Sequence, residues 1–424
     1  MISVPPPVIT PGMLPEPLSA VPGFSLSPSL ASALRAAVRV AEVQLARTTT
    51  AWPPDTPAPV HTVQGKWYRP ADLWTDWTPG FLAGQLWILE RLSGAKPWRA
   101  LAEAYTQRLA PRRFDRDVHD LGFIFLSSYG RWIERLDAAD PLRARLEDVL
   151  VTAATVQSFR WNGAGRHGFI YSFNGPQSLF IDVMMNVRLL FWAAQHGAGS
   201  EVLRRALEHC RTSNRYLVRR QGKGLGEVDG SVAHEAIFNT EPGRGEFRCL
   251  STQQGYSPFT CWARGLAWAI YGFAEAYRYS GEVQFLEAAE LCARFFEERT
   301  PPDGVPYWDY GAPGLPAEPR DSSAAAIAGC GLLILSRLVA PERGPRHFEG
   351  AARIAASLTS AEYLASPGGG EEGVLLHGVY HRPRGWGVDA SVMWGDYFFL
   401  ELVERLFDVG PAPPAGERLF PRGI

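Results

Sequence analysis

The sequence predicts an all-α fold, an (α/α)6 barrel of alternating inner and outer helices. Three observations carry that expectation. Apolar residues recur at helical spacing through twelve segments, near 28–48, 77–94, 96–112, 119–137, 140–159, 178–197, 199–220, 258–280, 282–299, 321–339, 344–364 and 390–408, whereas strand-like alternation is scarce. The segments are of two kinds, amphipathic or apolar on nearly every face. The two kinds alternate along the chain, as helical hairpins closing into a double ring require.

The amphipathic kind includes LEDVLVTAATVQSF, EVLRRALEHCRTSNRYLVRR and EVQFLEAAELCARFFEER. Each keeps one charged face for water, which places it in the outer ring. In chain order, the apolar kind is WTPGFLAGQLWILERL, HDLGFIFLSSYGRWI, SLFIDVMMNVRLLFWAA, CWARGLAWAIYGFAEAY, DSSAAAIAGCGLLILSRL and ASVMWGDYFFLELVERL. Their first turns are apolar or small all round, as burial on every side demands. Alternation makes all the inner helices run the same way, so their N-termini share one mouth. The irregular stretches 160–177, 221–257, 300–320 and 365–389 are too long to be mere connectors and are expected to build that mouth. An open α-solenoid is the alternative, but self-similarity between repeats is weak. Residues 1–27, rich in proline, read as an extended arm, and 28–424 as one barrel domain that carries the catalysis.

With 46% hydrophobic and 20% charged residues, the chain can bury a large core. A net charge of −2 supplies none of the clustered Lys and Arg that nucleic acid or an anionic membrane surface calls for, so neither is expected as a partner. The N-terminus lacks a basic region followed by an apolar one, and no stretch approaches the roughly eighteen apolar residues of a membrane span. Five cysteines form no C-x-x-C pair and have no zinc-like spacing, which suits buried thiols in a reducing compartment. The expected location is the cytoplasm. The aromatic content, 12%, suits an aromatic-lined cavity and a large core equally.

If the inner N-termini converge, so do Trp77, His119 and Asp120, Asp182, Arg264 and Trp268, and Asp321. Asp182 stands in the first turn of an otherwise apolar helix, beside Phe180, Met184 and Met185. It is either an Asp that complements the helix dipole or an acid kept for chemistry, because burying a carboxylate without a partner is costly. Asp182 and Asn186 share a helix face, as do Arg264 and Trp268. Asp321, followed by Ser322 and Ser323, reads better as an N-cap. GAGRHG (163–168) matches G-x-G-x-x-G but lacks a preceding strand, so no dinucleotide site is expected. No P-loop, H-E-x-x-H or G-x-S-x-G elbow occurs, and the histidines lack ligand spacing, so neither metal nor cofactor is expected. Paired carboxylates with aromatic walls remain, a combination suited to sugars.

The segments WTPGFLAGQLW, HDLGF, FIDVMMNVRLLFWA, TQQGYSPFTCWARGLAWAIYGFAEAYR, GVPYWDY followed by RDSSAAAIA, and WGDYFFLE run in order from about residue 74 to about residue 405. Together they strongly resemble the motif series of unsaturated glucuronyl hydrolases, glycoside hydrolase family 88. The resemblance implies an (α/α)6 barrel and a glycosidase that releases the 4,5-unsaturated uronic acid from the non-reducing end of the disaccharides and oligosaccharides left by polysaccharide lyases. By the same resemblance Asp182 matches the general acid/base and Asp120 the second required carboxylate. The implied reaction protonates C4 of the vinyl ether and adds water at C5, and the hemiketal then collapses. Such an acid must hold its proton near neutral pH, so Asp182 is expected protonated beside an ionised Asp120. His234, Gln254, Arg264 and Trp268 match further active-site positions, and Trp77 and Trp161 match stacking tryptophans. His119 adjoins Asp120 at the same mouth. Arg264 is the expected bidentate partner of the substrate carboxylate. The chain departs from the usual pattern at Ser257, Pro258 and Phe259, where acidic residues are common, and at Val183 and Leu266. These departures bear on the aglycone side.

Unsaturated rhamnogalacturonyl hydrolases, with the same barrel and hydration chemistry on pectin fragments, are the nearest rival. A sugar 2-epimerase-type isomerase is more remote, since it needs histidines on several inner helices and only His119 lies at such a position. A non-catalytic sugar-binding barrel gives no reason for two acids in an apolar mouth. The enzyme is expected to be a monomer or small homo-oligomer.

Overall fold

The computed structural model describes residues 24–409 except 74, 164–167, 221–228, 242–243 and 367. Most of the expected N-terminal arm thus lies outside the described residues.

Each of the twelve expected segments holds a helix. The outer ring is Pro28–Ala51, Lys96–Arg108, Pro141–Ser158, Ser200–Tyr216, Val283–Arg299 and Gly344–Leu358. The inner ring begins with Pro79–Ser93. Next comes a composite helix in which Leu121–Phe125 passes through a π turn, Leu126–Gly130, into Arg131–Ile133. Val183–Gln195, Ala263–Ser280, Ser322–Leu338 and Met393–Val409 complete it. Consecutive inner helices pack on one another, and Met393–Val409 packs back on Pro79–Ser93, which closes the ring. The burial pattern gives the physical reason for two rings. Every residue from Ser322 to Ser336 is buried, as is every residue from Ala263 to Ala276, while Ser200–Tyr216 keeps one wet charged face.

Helix starts follow local chemistry. Ser27 Oγ accepts the Leu30 amide at 3.2 Å and Asp140 Oδ1 that of Leu142 at 2.8 Å, each just ahead of a proline at the first helical position. Close approach explains two glycines. A Cβ on Gly80 would lie 2.3 Å from the Ile124 carbonyl oxygen, and one on Gly122 2.5 Å from Asn186 Cα. The inner helices beside the mouth can therefore meet backbone to backbone.

The irregular stretches contain short antiparallel pairings whose runs of two to five residues are too brief to show as alternation in the sequence. One of them corrects the expected helix at 178–197. Ser178–Phe180 is a strand paired with Glu235–Phe238, which pairs in turn with Phe247–Ser251, and the helix begins only at Val183. Gly378–His381 pairs with Trp386–Ala390, and His61–Val63 with Lys66–Tyr68. No helix among the described residues is long and apolar enough to cross a membrane. All five cysteines are free thiols, four buried and Cys249 exposed.

Candidate active site

Asp120, Asp182 and Asp321 each stand at the N-cap of an inner helix, and their side chains separate them. Asp321 caps: its Oδ1 accepts the amides of Ser323 and Ala324 at 3.1 and 3.3 Å, in line with the structural reading. Neither Asp120 nor Asp182 makes a side-chain capping bond. Both instead line one cleft, with Thr75, Trp77, His119, Phe123, Phe173, Phe180, Gln254, Arg264 and Tyr380. Asp182 thus sits one residue ahead of the helix, and helix capping does not account for it.

Two histidines face the two acids in the same way. His119 Nδ1 accepts the Phe173 amide at 3.0 Å, and its Nε2 lies 3.3 Å from Asp120 Oδ1. His234 Nδ1 accepts the amides of Gln253 and Gln254 at 3.0 and 3.2 Å, and its Nε2 lies 3.3 Å from Asp182 Oδ2. A nitrogen that accepts backbone N–H groups carries no proton, so each ring turns Nε2–H toward its carboxylate, close enough for electrostatic attraction though not in hydrogen-bond geometry for His234. The strand pairing fixes the second pair, because the Ile181 amide donates to the His234 carbonyl at 3.0 Å. Phe180 packs against both rings, with centroids 5.7 Å from His119 and 4.6 Å from His234.

Asn186, fully buried, ties the acids together. Its Oδ1 accepts the Phe123 amide at 2.8 Å, which turns its Nδ2 toward Asp120 Oδ1 at 3.3 Å and the Asp182 carbonyl at 3.2 Å. Two N–H groups therefore face Asp120 Oδ1, so a proton on this side chain belongs on Oδ2. On Asp182 it is Oδ2 that is buried against His234, which leaves Oδ1 as the oxygen open to the cleft.

The electrostatic directions run against the expected proton placement. Burial, and then the Asp182 charge, push the Asp120 carboxyl well above the ordinary carboxylate range. Burial would raise Asp182 too, but the His234 Nε2–H facing it, with the Arg264 guanidinium beyond, brings it below its usual value. Burial lowers His119 to about 3, so near neutral pH its imidazole is uncharged. The acids titrate as one coupled system, with burial and the Asp182 charge favouring the proton on Asp120.

Arg264 also departs from expectation. Only 1% exposed, it donates to the carbonyls of Val379 and Tyr380 and to Gln254 Oε1, and stands 3.5 Å from Asp321 Oδ2. Its guanidinium also lies 4.4 Å from the Trp262 ring centroid and 5.0 Å from that of Trp394. Both terminal nitrogens are engaged by the protein, so the bidentate carboxylate pairing is not open to it in this arrangement. Because Gln254 Oε1 faces Arg264, the Gln254 amide nitrogen is left to serve the cleft.

Trp77 lines the cleft and packs on Phe81, Phe123, Trp394 and Tyr380, so it is both wall and core. Trp268, 1% exposed, lies behind the wall against Phe123 and Phe398. Trp161 is not brought to the cleft; its ring lies under Arg204 and Arg205 of an outer helix. Thr75, Phe173, Phe180, Asn186 and Tyr380 were not selected from the sequence as site residues. Asn186 gave a signal there, its shared face with Asp182, and Phe180 appeared only as an apolar neighbour of that acid. Among the described residues no group of three or more His, Cys, Asp or Glu is placed to hold a metal ion.

No family model matches the chain. It is 36% identical over 350 residues, 78% of this chain and 86% of the relative, to an unsaturated glucuronyl hydrolase of Bacillus sp. strain GL1. An unsaturated chondroitin disaccharide hydrolase of Streptococcus pyogenes serotype M1 is 31% identical over 352 residues, 78% of this chain and 82% of the relative. Among solved structures, an unsaturated glucuronyl hydrolase specific for heparin superposes with a TM-score of 0.78 at 30% identity, covering 90% of this chain and 100% of the other. The closed helical double ring, the buried acid pair at its mouth and these extended identities agree: the chain belongs to the unsaturated glucuronyl hydrolase family.

Proposed function

We propose that the protein hydrolyses lyase-generated oligosaccharides, releasing the 4,5-unsaturated uronic acid from their non-reducing end. The observation that carries this reading is the buried, coupled Asp120–Asp182 pair, each acid facing a histidine Nε2–H inside an aromatic cleft. Two carboxylates that cannot both ionise cheaply hold one proton between them near neutral pH. The substrate's own carboxylate brings a further negative charge toward Asp182, which raises its proton affinity and favours transfer of the pair's proton to it. From Oδ1 the proton passes to C4 of the vinyl ether, and positive charge develops at C5 and the ring oxygen. Water adds at C5 and gives up a proton to the acid pair. The C5 hemiketal opens to a ketone, and the resulting hemiacetal at C1 releases the aglycone as an alcohol. Gln254 offers the uronate its amide N–H, Arg264 holds Gln254 in place, and Trp77 supplies a wall for the sugar ring.

The matched relatives are named for glucuronyl, chondroitin and heparin substrates, which supports this reading over the rhamnogalacturonyl and epimerase alternatives. We assign the helices from Pro28 to Val409 to one catalytic barrel, supported by a buried apolar cluster that runs through both rings. The buried free thiols of Cys210, Cys261, Cys292 and Cys330 suit a cytoplasmic location. The test is a panel of lyase-generated disaccharides followed by loss of the near-ultraviolet absorbance of the conjugated enoate. Turnover of glycosaminoglycan-derived members is expected; turnover confined to pectin-derived ones, or none at all, would overturn the assignment.

A further inference from the structure

The turn between Gln254 and the start of helix Ala263–Ser280 carries two aromatic side chains that face water. Tyr256 is 50% exposed and Phe259 72%, the largest exposure of any large hydrophobic residue described. A single exposed Phe needs no explanation, but this turn is held with unusual care. Asp309, 0% exposed, accepts the Tyr256 amide at 2.8 Å and the Thr260 hydroxyl at 3.0 Å through one oxygen, and the Gly311 amide at 2.9 Å through the other. From the other side Arg219, 7% exposed, donates to the carbonyls of Pro258 and Thr260 at 2.8 and 3.0 Å. Within the turn the Ser257 amide donates to Thr260 Oγ1 at 3.0 Å and the Phe259 amide to Ser257 Oγ at 3.2 Å. Buried charged groups thus fix the backbone on both flanks of Phe259, and what the fixed turn presents outward is two rings.

The turn lies between two residues of the cleft lining, Gln254 and Arg264. Gln254 stands two residues before Tyr256, and Trp262, three residues after Phe259, packs on His234 with ring centroids 4.7 Å apart. From Leu250 to Ala263 the chain carries no charged residue.

The geometry points to Tyr256 and Phe259 as a stacking subsite for the sugar units beyond the scissile bond, taking the uncharged, C–H-lined face of a pyranose. This inference rests on the proposed function. A rigid aromatic ring loses little conformational freedom on binding, so a locked turn suits recognition better than a mobile one. A side chain that touches the aglycone equally in ground and transition states acts on KM rather than kcat.

The experiment compares Tyr256→Ala, Phe259→Ala and Phe259→Trp with wild type on two compounds: an unsaturated tetrasaccharide made by a polysaccharide lyase, and the methyl glycoside of 4,5-unsaturated glucuronic acid. The ratio of kcat/KM for the tetrasaccharide to that for the methyl glycoside is expected to fall roughly tenfold in the alanine variants, through KM, and to be retained in Phe259→Trp. An unchanged ratio, or equal losses on both compounds, overturns the subsite. Wild type that turns over neither compound overturns the function itself, and the subsite with it. Both side chains are exposed, so unchanged melting temperatures are expected.

Discussion

His234 Nε2 stands 3.3 Å from Asp182 Oδ2, and its Nδ1 is occupied by the amides of Gln253 and Gln254. The ring can offer Asp182 nothing but a proton donor, and this contact helps to hold the Asp182 carboxyl below its usual range. His234→Phe keeps the packing on Phe180 and Trp262 and removes the donor. The Asp182 carboxyl should rise, carrying the acidic limb of the kcat/KM profile upward by about one pH unit. An unmoved limb would show that His234 acts only by packing.

Asp120→Asn should act on the other limb. In the wild type the pair loses its last proton at the raised carboxyl of Asp120; without that carboxyl, the last proton leaves at the lowered one of Asp182. Loss of activity with rising pH therefore begins at lower pH, and turnover near neutrality falls on the order of a hundredfold or more. A variant whose alkaline limb stays in place would show that Asp120 does not hold the proton.

Asn186→Ala should shift the same limb the opposite way. The amide that donates to Asp120 Oδ1 favours its charged form, so losing it raises the Asp120 carboxyl further and moves the alkaline limb upward. The Phe123 amide is left without its acceptor in the core, a cost of about 1–3 kcal/mol in stability. Chemical denaturation together with the pH profile tests both effects; a purely structural Asn186 would move stability alone.

Arg264→Lys is expected to damage the fold more than substrate affinity. Lysine cannot span Gln254, the Val379 and Tyr380 carbonyls and Asp321 at once, and Asp321 would lose its guanidinium in a fully buried setting. Disrupting a buried pair costs on the order of 3 kcal/mol. Normal stability with a selectively raised KM would restore the direct carboxylate role.

The double ring was legible because it rests on burial that repeats. Ser322–Leu338 and Ala263–Ser280 show no wet face until their last turns, and Ser200–Tyr216 plainly has one. The acids were legible as misfits in apolar company. What stayed hidden depends on contacts between distant segments. Ser178–Phe180 reads as a helix start until Glu235–Phe238 pairs with it. The apolar neighbours raise the Asp182 carboxyl, and what brings it back down is His234, 52 positions away along the chain, with Arg264. Arg264 resembles a carboxylate clamp until the Gly378–His381 strand supplies the carbonyls that occupy it.

The most direct test is the turnover of Asp182→Asn on an unsaturated glycosaminoglycan disaccharide, with melting temperature and circular dichroism recorded on the same preparation. The amide keeps the shape of the acid, and His234 Nε2–H still has an oxygen to face, but no transferable proton remains for C4. Native folding with enoate loss slowed by at least about a thousandfold is the expected result. A correctly folded Asp182→Asn that consumes the enoate at close to the wild-type rate would contradict the assignment of the acid and the mechanism built on it.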